Sequence, residues 1–131
     1  MDKNFVNYDI ALKMRELGFN DKCIATIDSR NMIILKGQRE QPCYIFIPVP
    51  TWSGCFDWFR EKHNCIISVY SNASGYLWES HDSVGGTQRE WSNYTGPNES
   101  GVWDNFYEAR KNAILTNLDI IKNKLRTSKR N

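Results

Sequence analysis

A chain of 131 residues has room for one domain with one sizeable core, and nothing in its composition requires disulfides or a metal for stability. Its formal net charge of +2 and pI near 8.3 are too mild to imply nucleic acid by themselves, and the basic residues gathered at the end, Lys122, Lys124, Arg126, Lys129 and Arg130, read as a solvated tail in preference to a nucleic-acid arm. No apolar run is long enough to cross a bilayer, which leaves out a membrane-spanning role.

In chain order, Val6, Ile10, Met14 and Leu17 recur at helical spacing. Asn7 is placed to cap, Asp9 lies in the first turn and Gly18 stops the run before Phe19, which predicts a first helix. Cys23 to Ile27 and Met32 to Leu35 are short β-prone runs around the turn-forming Asp28-Ser29-Arg30-Asn31, a predicted hairpin. Cys43 to Ile47 reads as a third strand ended by Pro48 and Pro50, with Lys36 to Gln41 as a surface loop before it. Thr51 then caps a second helix with Trp52, Cys55, Phe56 and Phe59 on one face and Trp58 off its centre.

Cys65 to Tyr70 and Gly75 to Ser80 are the fourth and fifth strands, joined by Asn72-Ala73-Ser74. Arg89 to Tyr94 is a sixth, after a loop of Ser83-Val84-Gly85-Gly86-Thr87. A Gly96 to Gly101 loop leads into a final helix whose apolar stripe is Trp103, Tyr107, Ile114, Leu118, Ile121 and Leu125. The expected fold is one α+β domain over residues 1–125, in the order α-β-β-β-α-β-β-(β)-α, and residues 126–131 are expected as a basic disordered tail. Its helices would pack against one antiparallel sheet of about five to six strands.

Catalytic and metal-binding patterns are sparse. Cys23, Cys43, Cys55 and Cys65 stand too far apart for a Cys-x-x-Cys pair, and only His63 and His81 are available to complete a site, so no metal or cofactor is expected. The opening Met1-Asp2-Lys3-Asn4 leads into an amphipathic pattern without the apolar core of a signal peptide, and the thiols are expected free and mostly buried in the host cytoplasm. Glu79-Ser80-His81-Asp82 holds the residue types of a hydrolytic triad, but strand neighbours point to opposite faces. The Gly85-Gly86 loop lacks the lysine of a phosphate-binding loop and opens no helix. The inventory leans away from an enzyme.

Aromatic and arginine residues carry more weight. Trp78, Trp91 and Tyr94 offer planar faces on which a nucleobase can stack, and Arg89 or Arg60 can grip a phosphate through paired hydrogen bonds. Trp58 and Tyr76 complete the candidate pocket, while Trp52 and Trp103 belong on core-facing stripes. Trp78 and Trp91 divide evenly between a core and a ligand-contacting role.

Three stretches resemble small phage and prophage proteins of gut bacteria. They are Tyr8-Asp9-Ile10-Ala11-Leu12-Lys13-Met14-Arg15-Glu16-Leu17-Gly18-Phe19, then Pro50-Thr51-Trp52 with Phe56-Asp57-Trp58-Phe59-Arg60-Glu61-Lys62-His63-Asn64, and the closing Tyr107-Glu108-Ala109-Arg110. The resemblance spans most of the chain, and the Trp58-Phe59-Arg60-Glu61-Lys62 run is its most specific part. It implies a phage accessory protein. By analogy with compact viral sponges, it also implies capture without degradation of a nucleotide-derived immune signal, such as a cyclic oligonucleotide or an ADP-ribose derivative. A pocket built between subunits of a homo-oligomer is compatible with that role. The alternatives are a protein-interaction module that inhibits a host protein through an aromatic patch, and an enzyme that degrades the signal with His81 or His63 as base.

Overall fold

The computed structural model describes residues 2–39, 43–84, 87–94, 96–98 and 102–130, with the backbone alone at positions 2, 83, 84, 87–89, 91–94 and 128–130. The chain is α+β. A 3-10 turn at Asp2–Asn4 precedes α1 (Tyr8–Glu16), β1 (Ala25–Ile27), β2 (Ile33–Leu35), β3 (Ile47–Pro48), α2 (Trp52–His63), β4 (Ile66–Asn72), β5 (Gly75–Val84), β6 (Thr87–Tyr94) and α3 (Phe106–Arg130). The order of elements follows the expectation, but the single large sheet does not form. Among the described residues there are two three-stranded antiparallel sheets, β2-β1-β3 and β4-β5-β6. Each is built around a central strand, β1 or β5, whose two sides are filled by its own neighbours.

The chain divides into two compact units, Met1–Trp58 and Phe59–Asn131. In the first, the Asn7 side chain accepts from the N–H of Ile10 and so caps α1. Gly18, at φ 98, ends it: the Gly18 N–H reaches Arg15 O and the Phe19 N–H reaches Met14 O, the paired bonds of a left-handed helix stop. Asn31 Oδ1, from the β1–β2 turn, takes the N–H of Tyr8, so the hairpin also satisfies the start of α1. The opening segment is tied down by Val6 N–H to Pro50 O and by Trp52 Nε1–H to Lys3 O.

Strand β3 is shorter than predicted and includes Pro48, paired with Thr26. An edge strand tolerates proline because only one of its sides bonds to the sheet. Cys43 and Ile45, expected in this strand, are exposed outside it. On α2, Thr51 Oγ1 accepts from the N–H of Gly54 as predicted, but Trp58 is 3% exposed while Phe56 is only half-buried.

In the second unit α3 packs against β4 and β5. Trp78, Trp103, Ala109 and Ala113 form the core there, with Ile67, Val69 and Tyr76 packed around them. Strand β5 is longer than predicted because Val84 still pairs with Thr87, so Ser83, Val84 and Thr87 of the expected loop belong to strands; its Gly85 and Gly86 lie outside the described residues. Helix α3 also differs from expectation. Trp103 lies before it in an isolated bridge to Tyr76, Tyr107 and Leu125 are exposed, and residues 126–130 continue the helix. Its buried side is Ala109, Ala113, Ile114, Asn117, Leu118 and Ile121.

Candidate functional site

Of the seven residues singled out from the sequence, four have described side chains: Trp58, Arg60, Tyr76 and Trp78. Trp78 is 1% exposed, and its Nε1–H donates to Asn112 Oδ1 at 3.0 Å, which places the ring in the core with its polar atom satisfied. Trp58 is buried in the first unit, edge-on to Phe19 at 6.0 Å between centroids. Arg60 is on the surface, 3.7 Å from Glu61, a spacing and exposure that give a weak pair. Arg89, Trp91 and Tyr94 have side chains outside the described set. Backbone register puts Tyr94 opposite Trp78 and Arg89 opposite Asp82, and Trp91 falls at the irregularity beside Ser80 and His81. Of the seven, Tyr76 alone is described within an aromatic cluster that reaches solvent.

That cluster is assembled at the start of α3. Tyr76 N–H donates to Trp103 O at 3.1 Å and Trp103 N–H returns a bond to Tyr76 O at 2.9 Å, so β5 fixes the chain three residues before the helix. Asn98 Nδ2 donates to Asp104 Oδ1, and the Asn105 side chain accepts the Glu108 N–H at 2.8 Å to cap the first turn. Phe106 then meets Tyr76 edge-to-face, with centroids 6.0 Å apart at 71°. One turn on, the Arg110 guanidinium carbon lies 5.0 Å from the Phe106 ring centroid and 5.9 Å from that of Tyr107. Phe106 and Tyr107 are each 42% exposed. The product is a surface with two partly exposed aromatic residues beside a half-buried cation, suited to a planar group that carries negative charge.

Other clusters have structural chemistry. Ser80, Asn117 and Cys65 form a buried hydrogen-bonded group in the second unit. Burial pushes the Cys65 thiol up to about 12; the charge of Lys124 works against this and that of Asp82 adds to it, so the sulfur stays protonated and is a poor nucleophile. The triad-like run separates as strand alternation requires: Ser80 and Asp82 are buried, Glu79 is exposed and His81 is half-buried. Burial lowers the pKa of His63.

In the first unit, the buried Asp28 carboxylate accepts from the N–H groups of Arg30 and Met32 and from Arg30 Nε and Nη2, which closes the β1–β2 turn. Burial alone would raise its pKa, but the Arg30 side-chain bonds, the two backbone bonds and the Arg30 charge together hold it below the usual value. Arg30 also stacks over Tyr44 at 3.5 Å.

Neither described cavity coincides with the sequence-derived residues. One, of about 300 Å³, lies over the β1–β2 hairpin between Cys23 and Gln38. The other is a wide depression of about 530 Å³ beside Ile120, Asn123, Lys124 and Thr127. Among the described residues, no three His, Cys, Asp or Glu side chains are grouped to hold a metal ion, and no helix is long and apolar enough to cross a membrane. None of the four cysteines is in a disulfide; Cys55 and Cys65 are buried, Cys23 is half-buried and Cys43 exposed.

Comparison with protein-family models, curated proteins and solved structures finds no match. The site therefore rests on its geometry. Sequence reading missed Phe106 and Arg110, although a signal was present: Arg110 stands three, four, seven and eight residues before Ala113, Ile114, Asn117 and Leu118. A cation at the head of a core-facing stripe is a marked position.

Proposed function

We propose that this chain is a phage accessory protein that binds and sequesters a nucleotide-derived signal without degrading it, and that Tyr76, Phe106, Tyr107 and Arg110 form its gripping surface. A nucleobase would stack on the exposed rings while the Arg110 guanidinium meets phosphate or ribose oxygens. The observation that supports this reading is the guanidinium held over two partly exposed aromatic rings at the start of α3. This assignment moves the site away from Trp58 and Trp78.

The test is depletion. Purified protein is mixed with cyclic oligonucleotides and ADP-ribose derivatives, removed by filtration, and the free ligand is measured. A sponge depletes one of them stoichiometrically and returns it intact on heating. Return of products would point to the degrading enzyme, and an undepleted panel would end the proposal for those ligands.

A second reading, inhibition of a host protein, is favoured by one observation: Phe106 and Tyr107 are exposed on a helix and line neither described cavity. Aromatic residues and arginine are common interface anchors. Recovery of one stoichiometric host protein with no small molecule bound would select it.

A further inference from the structure

We propose that the far end of α3 is a separate binding surface for the phosphate backbone of a nucleic acid. From Ile120 onward the sequence carries Lys122, Lys124, Arg126, Lys129 and Arg130 and no acidic residue, a concentration that the whole-chain charge of +2 conceals. The helix runs through Arg130, and Lys122, Lys124 and Arg126 are exposed. A disordered tail would spread these charges over many arrangements. A helix fixes Lys122 and Arg126 one turn apart on one side, and Lys129 and Arg130 follow seven and eight residues after Lys122.

Helix stability does not account for this pattern. The benefit of cations near a helix C-terminus fades beyond the last turn, and Lys122 and Arg126 lie before it. Asp119 gives Lys122 one opposite charge three residues back. Arg126 has only Asn123, Lys129, Lys122 and Arg130 at its three- and four-residue neighbours. The pairs Lys122 with Arg126 and Arg126 with Arg130 are like charges at helical spacing, which oppose the helix until an anion lies along them. The stretch exposes one large apolar side chain, Leu125, among its described residues. That is too little for the broad apolar face with which a helix enters a bilayer surface, so a phosphate polymer fits better than a membrane.

The experiment is fluorescence anisotropy of the full chain with a labelled DNA duplex of about 20 base pairs, at about 50 mM and about 200 mM salt. The expected result is micromolar binding at low salt that weakens about 40-fold at the higher salt, the dependence of three neutralised phosphates. Lys122→Glu with Arg126→Glu should lower affinity at least about tenfold, the effect of losing two phosphate contacts, at an unchanged circular dichroism spectrum. A charge-matched control in the first unit, Lys13→Glu with Lys22→Glu, should leave binding as it was. If the reversal disturbs the helix, Lys122→Gln with Arg126→Gln supplies the same comparison. Absence of duplex binding at low salt, equal loss in the control, or binding to phosphatidylserine vesicles but not to the duplex would overturn the proposal. None of these outcomes bears on ligand capture at Phe106 and Arg110.

Discussion

Ser80 Oγ donates a hydrogen bond of 2.7 Å to Asn117 Oδ1, and both side chains are fully buried where α3 covers β5. The same oxygen faces Cys65 Sγ at 3.8 Å, and Asn117 Nδ2 donates to Ala113 O at 2.7 Å. A buried amide with donor and acceptor both engaged holds the helix in one register on the sheet, because a slip would strand these groups away from water. Asn117→Ala removes the acceptor shared by Ser80 and Cys65, with an expected cost of about 2–3 kcal/mol in denaturant unfolding. Ser80→Ala should cost less, and the double variant should fall short of the sum of the two.

Trp78 offers a direct separation of core from ligand roles. Trp78→Phe keeps a ring in the core and removes the bond to Asn112, which should lower stability by about 1–2 kcal/mol. Ligand depletion by the folded variant should be unchanged. A loss of depletion at full stability would return Trp78 to the binding site.

Local chemistry was legible in the sequence where one residue decides the backbone. Asn7 and Gly18 bound α1 because a side-chain acceptor and a left-handed stop are determined within a few residues. Pairing partners were less legible. Nothing in the alternation of β1 or β5 states that each strand finds both neighbours nearby, and so the division into two sheets was missed. Trp58 falls off the centre of the Trp52, Cys55, Phe56 and Phe59 stripe and was assigned to the candidate pocket, yet it is buried. Arg110 and Asn117 were overlooked for a different reason: an apolar-residue count passes over polar groups that complete a buried side.

The Cys65 thiol makes stability sensitive to alkaline pH. Its folded pKa is raised by burial to about 12, above the ordinary 9.0, so the unfolded chain releases this proton first as pH rises. The contribution is complete below about pH 9 and declines toward pH 12, with a slope of at most about 1.4 kcal/mol per pH unit. Cys65→Ala should flatten that part of the stability curve, measured by urea unfolding at successive pH values. Asp28 has the opposite sign: its lowered pKa favours folding above the ordinary 3.8 and is lost as pH falls through the folded value. Asp28→Asn should therefore make unfolding less steep on the acid side.

Gly75 and Gly18 both have positive φ but differ in space. At Gly18, φ 98, an added Cβ meets nothing within 4 Å, so Gly18→Ala should cost only the backbone strain, about 1–2 kcal/mol. At Gly75, φ 150, the same atom would lie 2.8 Å from Trp103 O and 2.8 Å from Val102 Cγ2. Gly75→Ala should displace the Tyr76–Trp103 bridge, lower the thermal midpoint further than Gly18→Ala does, and weaken ligand depletion as Tyr76 moves.

Arg110 tests whether the patch at the start of α3 needs a cation or a stacking plane. Its guanidinium lies over the rings of Phe106 and Tyr107 at 5.0 and 5.9 Å. Arg110→Lys keeps the charge but loses the flat, forked donor set, and Arg110→Ala loses both. For a stacked, phosphate-bearing ligand, affinity should fall about tenfold in Arg110→Lys and about a hundredfold in Arg110→Ala, in keeping with charge-assisted bonds of about 1.5–3 kcal/mol. Phe106→Ala should also weaken binding while leaving the urea midpoint nearly unchanged, because the residue is 42% exposed. If all three variants bind as tightly as the parent chain, as measured by isothermal titration calorimetry, the gripping surface lies elsewhere.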